Sequence, residues 1–123
     1  MSKDCLINNE VTNLSPYTYS PGAQAPLKSG NWIISPQPIA ANVKDFLAFQ
    51  AQGVAGTATG AVGSATYDVI DSGGNNVGSL VCNFSDPFNG DNSASASTTV
   101  TDLVASVDIP SDGRTIKAKW KFK

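Results

Sequence analysis

The sequence predicts an all-β fold, a single antiparallel β-sandwich domain occupying residues 1–123. Three observations carry this. Short apolar stretches are broken by Gly, Pro, Asn and Asp about every ten residues, the punctuation of a sandwich or barrel. No apolar stripe of helical period reaches a useful length. The last segment alternates strictly, Ile116, Ala118, Trp120 and Phe122 against Lys117, Lys119, Lys121 and Lys123, so one face of that strand is core and the other a row of lysines.

The elements follow in chain order. Cys5-Leu6-Ile7 reads as a short first strand, and residues 15–26, with three prolines, as a surface connection. Trp32-Ile33-Ile34 is the next short strand, and Phe46, Leu47 and Phe49 start another after the loop Ser35-Pro36-Gln37-Pro38. Residues 62–70 and 77–84 flank Asp71-Ser72-Gly73-Gly74-Asn75-Asn76, a Gly- and Asn-rich loop that reverses the chain into a hairpin. The run Ser93-Ala94-Ser95-Ala96-Ser97-Thr98-Thr99 is low in complexity and is assigned to no element. Residues 103–109 are expected to pair with the last strand through a tight turn at Asp112-Gly113, whose residue types accept positive φ. Trp32, Phe46, Tyr67, Trp120 and Phe122 are the expected core rings.

Composition narrows the function classes. The chain has no histidine, which removes the usual general base near neutral pH and the commonest zinc and copper ligand. With 15% charged residues and a net charge of −2, no basic field is present to hold a nucleic acid by its phosphates. Acids are scattered: Asp68/Asp71 and Asp86/Asp91 sit beside Gly, Asn and Ser, where Asp caps turns. Asp86, Asp91 and Asn92 fall short of the charge density of a calcium loop, and the glycines of residues 53–60 lack the GK[ST] of a phosphate loop. Hence no enzyme activity, catalytic residue, metal or cofactor is expected. Cys5 and Cys82 lack metal or redox spacing and are expected to be buried, reduced thiols, with one bridge between them as the alternative. MSKDCLINNE has no secretory apolar run, so synthesis in the cytosol and release by another route, to act at a target-cell membrane, is the expectation.

Two groups of residues remain as candidate contacts. Five of the eight basic residues lie within residues 114–123; Lys117, Lys119, Lys121 and Lys123 would either protect a sheet edge from aggregation or contact an anionic membrane. The second group is the segment containing Ser85, Asp86, Pro87, Phe88, Asn89 and Asn92, a proline-fixed loop that would offer an aromatic ring, hydroxyl and amide groups to a lipid headgroup or a sugar, or would plug the end of the sandwich.

Gly30-Asn31-Trp32, Ser35-Pro36, Phe46, Gly56-Thr57, Tyr67 and Phe84-x-x-Pro87-Phe88-x-Gly90-x-Asn92 occur in an order that resembles small aegerolysin-like proteins, above all the insecticidal crystal proteins of that group. The likeness covers residues 30–92. A fainter one, to the actinoporins, lies in Ala58-Thr59-Gly60-Ala61-Val62-Gly63 and Phe84-Ser85-Asp86-Pro87. Both are families of membrane-engaging β-sandwiches. The resemblance implies a protein that recognises a membrane lipid and takes part in pore formation beside a larger protein partner, with a homo-oligomer also compatible. It implies, too, that Ser85 and Pro87 lie near a phosphocholine headgroup. The aromatic cluster that actinoporins place after this proline is Asn89-Gly90-Asp91 here, and prolines interrupt residues 15–26, so lysis by this chain alone is not expected. The alternatives are a lectin-like sandwich binding glycans and a structural, inclusion-forming protein.

Overall fold

The structure is a computed structural model that describes residues 4–54 and 56–123. Among these residues, nine strands run in chain order: β1 (Leu6–Asn13), β2 (Thr18–Pro21), β3 (Asn31–Ile34), β4 (Phe46–Gln52), β5 (Ala61–Ile70), β6 (Asn76–Asp86), β7 (Ser93–Thr98), β8 (Ala105–Asp108) and β9 (Thr115–Phe122). They form a five-stranded sheet, ordered β3-β4-β1-β9-β8, and a four-stranded sheet, ordered β2-β5-β6-β7. The all-β sandwich read from the sequence is present. Every strand pair is antiparallel except β1 with β9, which run parallel from Leu6↔Thr115 to Asn13↔Phe122.

One hydrophobic cluster fills the space between the sheets. Phe49 on β4 sits at its centre, 5.9 Å from the Phe84 ring and 6.4 Å from Tyr67 on the facing sheet, and 6.3 Å from Trp120 on its own. These spacings and tilts lie within the range in which aromatic pairs add attraction beyond their buried area. Tyr67, Trp120 and Phe122 are fully enclosed, as expected, whereas Trp32 and Phe46 are half-buried and pack against the cluster from its border. Cys5 and Cys82 are buried and unbonded. Burial pushes both thiols up, so neither is poised as a nucleophile.

Four local expectations are corrected. Residues 15–26 do not simply cross the surface: they contain β2, whose Tyr19 is among the largest buried side chains. Pro21 is tolerated there because β2 is an edge strand. The first strand is longer than Cys5-Leu6-Ile7, since Asn9 and Asn13 occupy inward positions and find partners: Trp120 Nε1 donates to Asn9 Oδ1 at 2.9 Å, while Asn13 Nδ2 donates to the Tyr17 and Ala40 carbonyls at 2.8 and 3.1 Å. The run after Ser93 is strand β7, its alanines on the inner side. The β8–β9 hairpin exists, but its connection spans residues 109–114 and Asp112 does not adopt positive φ; Gly113 does, at 102°. The Asp71 loop follows expectation: its carboxylate accepts the Gly73 and Asn75 amides at 2.9 Å each, and Gly74 supplies φ 83°.

Candidate functional site

The lysine row faces outward from β9, as the alternation requires, but β9 lies between β1 and β8. Lys117, Lys119, Lys121 and Lys123 therefore guard no edge. The edges of this sheet are β3 and β8, and edge protection is overturned as the role of the row. Across β9, Asn8, Glu10 and Thr12 of β1 stand opposite Lys117, Lys119 and Lys121, and β8 places Asp108 and Ser106 opposite Lys119 and Lys121. Lys117 Nζ reaches Glu10 at 3.3 Å. Acidic neighbours thus offset the first half of the row, and Lys121 faces only hydroxyls.

At that second half the sheet carries a groove of about 690 Å3 lined by Thr12, Leu14, residues 42–45, residues 106–108 and residues 119–121. Lys44 joins Lys119 and Lys121 there, against Asp45 and Asp108. Its outer wall is a strained loop: Asn42 and Asp45 hold φ of 63° and 50°, a conformation that non-glycine residues adopt at a cost. The Asp45 amide donates to Thr12 Oγ1 at 3.1 Å, fastening the wall to β1. Two aliphatic side chains flank the last residues of β9. Leu14, 59% exposed, donates its amide to the Phe122 carbonyl at 2.7 Å, and Val104, 57% exposed, exchanges backbone bonds with Lys123. Exposed aliphatic groups beside lysines make this an amphipathic patch. Leu14 and Val104 escape sequence reasoning because the register of β1, β8 and β9 brings them to the lysine row, and Lys44 because bonds from Asn13 to Val43 and from Asp45 to Thr12 hold its loop against β1.

The loop after β6 lies elsewhere, at the end where β1 and β9 begin. Its residues do not act as one surface. Asp86, expected as a contact residue, is 0% exposed, and neither carboxylate oxygen has a hydrogen-bond partner. Asn92, also expected at the surface, is 7% exposed and holds the β8–β9 connection, its Nδ2 donating to the Pro110 and Gly113 carbonyls at 3.2 and 3.0 Å. Phe88 is half-buried beneath Arg114, whose guanidinium carbon lies 3.6 Å from the ring centroid and whose Nε donates to the Phe88 carbonyl at 3.1 Å. Pro87 is half-buried and Asn89 exposed. The loop is fixed from below because Gly60 approaches so closely that a Cβ there would meet the Asp86 carbonyl oxygen and Pro87 Cα, both at 2.7 Å. Burial pushes the Asp86 carboxyl up to about 7, with the Arg114 charge and the Leu6 amide pulling the other way.

Ser85 turns to the outer face of the four-stranded sheet. It lines a shallow cleft of about 400 Å3 with Ser64, Asn83, Ser93 and Ser95, walled by Ala25, Pro26 and Lys28. Among the described residues, no group of three or more His, Cys, Asp and Glu side chains is placed to hold a metal ion.

No family model matches the chain, and no curated protein sequence matches it. Among solved structures, it is similar to the RahU protein, crystallised in complex with a Tris molecule. The likeness is one of fold. The TM-score is 0.62 at 15% identity, covering 96% of this chain and 93% of RahU, so the fold is shared along nearly the whole length of both chains.

Proposed function

We propose that the protein binds a membrane lipid surface and serves as the lipid-recognising, non-enzymatic component of an aegerolysin-like pore-forming or insecticidal toxin, acting beside a larger protein partner at a target cell. One observation carries this: a row of lysines on an interior strand, with no edge to protect, ends in a groove where Lys44, Lys119 and Lys121 stand with the exposed Leu14. Lysines would draw the face to anionic headgroups and the aliphatic groups would enter the interface, each term modest and the sum reversible. The motif resemblance in residues 30–92 supports the toxin context.

Sedimentation with anionic and with neutral vesicles, at low and high salt, tests the binding step. Strong binding to anionic vesicles that weakens with salt is expected, with no leakage from the chain alone. Equal binding to both vesicle types at any salt, or none, would count against the proposal.

A second function is favoured by a separate observation. The side chains of Ser64, Asn83, Ser85, Ser93 and Ser95 converge on the shallow cleft, and none takes part in a hydrogen bond among the described residues. Free hydroxyl and amide groups in a concavity suit a polyhydroxylated ligand, so a glycan array is the experiment that would favour a lectin-like protein over a lipid binder.

A further inference from the structure

Among the described residues, Asp86 is the buried acid that nothing in the fold accounts for. It ends β6 opposite Ala61 of β5, fully enclosed, with both oxygens unpaired. Buried polar groups are almost always paired, and an isolated buried carboxylate is costly unless it takes up a proton.

Among the described residues, its surroundings contain one cation with two uses. From the β8–β9 connection comes Arg114, close enough for its charge to act on Asp86, yet engaged with Phe88 through both the ring face and the backbone carbonyl. The ion pair found among the described residues is Lys117–Glu10, not Arg114–Asp86. From the start of β1 come Cys5, which feels both Asp86 and Arg114, and, beyond it, Asp4. β5 and the turn before it contribute Ala61 and Gly60, while Asp91 of the loop itself and Asp112 of the connection are exposed to solvent.

We propose that Asp86, Arg114 and Phe88 form a proton-operated latch on the loop after β6. With Asp86 neutral, Arg114 covers the Phe88 ring and ties down its carbonyl, which is the arrangement seen. When Asp86 gives its proton to water, the charged partner within reach of the new carboxylate, among the described residues, is Arg114. The guanidinium turns to it, and the ring and the Phe88 carbonyl are released together. A buried carboxylate and a partly buried arginine form a far stronger pair than a cation over a ring that is half in water. The raised pKa of Asp86 places the changeover near neutral pH.

The latch does not depend on what the released loop touches, and its test involves no vesicle and no partner. Carbon-detected NMR on the full chain across about pH 5 to 9 follows the Asp86 carboxyl, the Arg114 Nε–H and the Phe88 ring. Three results are expected. The Asp86 carboxyl titrates near 7; the proton-proton contact between the Arg114 Nε–H and the Phe88 ring is present below that midpoint and lost above it; and in Asp86→Asn the contact persists at every pH. A carboxyl that titrates in the ordinary carboxylate range, or a contact retained through its titration, overturns the latch. Should Asp86→Asn fail to fold, the wild-type curves decide alone.

Discussion

The side-chain amide of Gln24 holds the backbone of Thr66 as a neighbouring strand would: Nε2 donates to the Thr66 carbonyl at 2.7 Å, and Oε1 accepts from the Thr66 amide at 2.8 Å. β2 ends at Pro21, opposite Tyr67, and beyond it the edge of β5 would be open. Gly22 donates its amide to the same Thr66 carbonyl at 2.9 Å, and Ser29 pairs with Val62 further along. One side chain thus continues the sheet across a stretch where the main chain has left it.

Gln24→Ala should therefore cost about 1–2 kcal/mol, because it leaves the Thr66 amide without its partner. Urea unfolding reads the loss. Hydrogen exchange at Thr66 should quicken more than at Tyr67. Unchanged protection at Thr66 would mean that water replaces Gln24 without loss.

Asp86 and Asp71 should move stability in opposite directions at different pH. Asp86 is raised from 3.8 to about 7 in the folded state. Its contribution is then fully present below the unfolded value and lost as pH rises through the folded one. Asp71 is lowered from 3.8 by the Asn75 and Gly73 amides, so its contribution is present above that value and lost only as pH falls through the lowered one. Asp86→Asn should raise the melting temperature at pH values above about 7 and leave it nearly unchanged near pH 4, flattening the decline between them. A variant melting profile parallel to the wild type would contradict this assignment.

Trp120→Phe should keep the ring packing against Phe49 but leave Asn9 without its donor, and the Asn9 Nδ2 atom already lacks a partner. A loss of about 1–3 kcal/mol in chemical denaturation is expected. In a Trp32→Phe background, Trp120 fluorescence should resist iodide quenching. Strong quenching would contradict the register of β9.

The lysines should not contribute equally to vesicle binding. Lys44→Gln and Lys121→Gln should each weaken binding to anionic vesicles by about 1 kcal/mol. Lys117→Gln should do less, because Glu10 already offsets that charge. Three equal effects would indicate a diffuse charge attraction rather than a localised patch.

Much of this fold is legible in the sequence where neighbours in the chain are neighbours in space. The alternation of residues 116–123 and the Asp71 turn report directly on β9 and the β5–β6 hairpin. β2 is hidden because Pro16 precedes it, Pro21 ends it, and its partners, Tyr67 to Ile70, lie far along the chain. β7 is hidden because its inward residues are the small Ala94 and Ala96, which carry a weak hydrophobic signal. The inner half of β1 is masked by Asn9 and Asn13, polar residues that belong in the core only once Trp120 and the Tyr17 carbonyl are there to receive them. The candidate site follows the same division. The direction of the lysines was readable from their spacing, but Lys44 beside them and Arg114 over Phe88 arise from contacts between distant segments.

The parallel pairing of β1 with β9 gives the protein a mechanical character. Parallel neighbours start at the same end of a sheet, so tension applied to the chain before Leu6 and after Phe122 pulls the two strands past each other along their common axis. The hydrogen bonds from Leu6↔Thr115 to Asn13↔Phe122 are then loaded together in shear, whereas a hairpin pulled from its open end parts one bond at a time. Resistance to stretching therefore resides in this central pair, where Ile7, Val11, Trp120 and Phe122 also anchor the core.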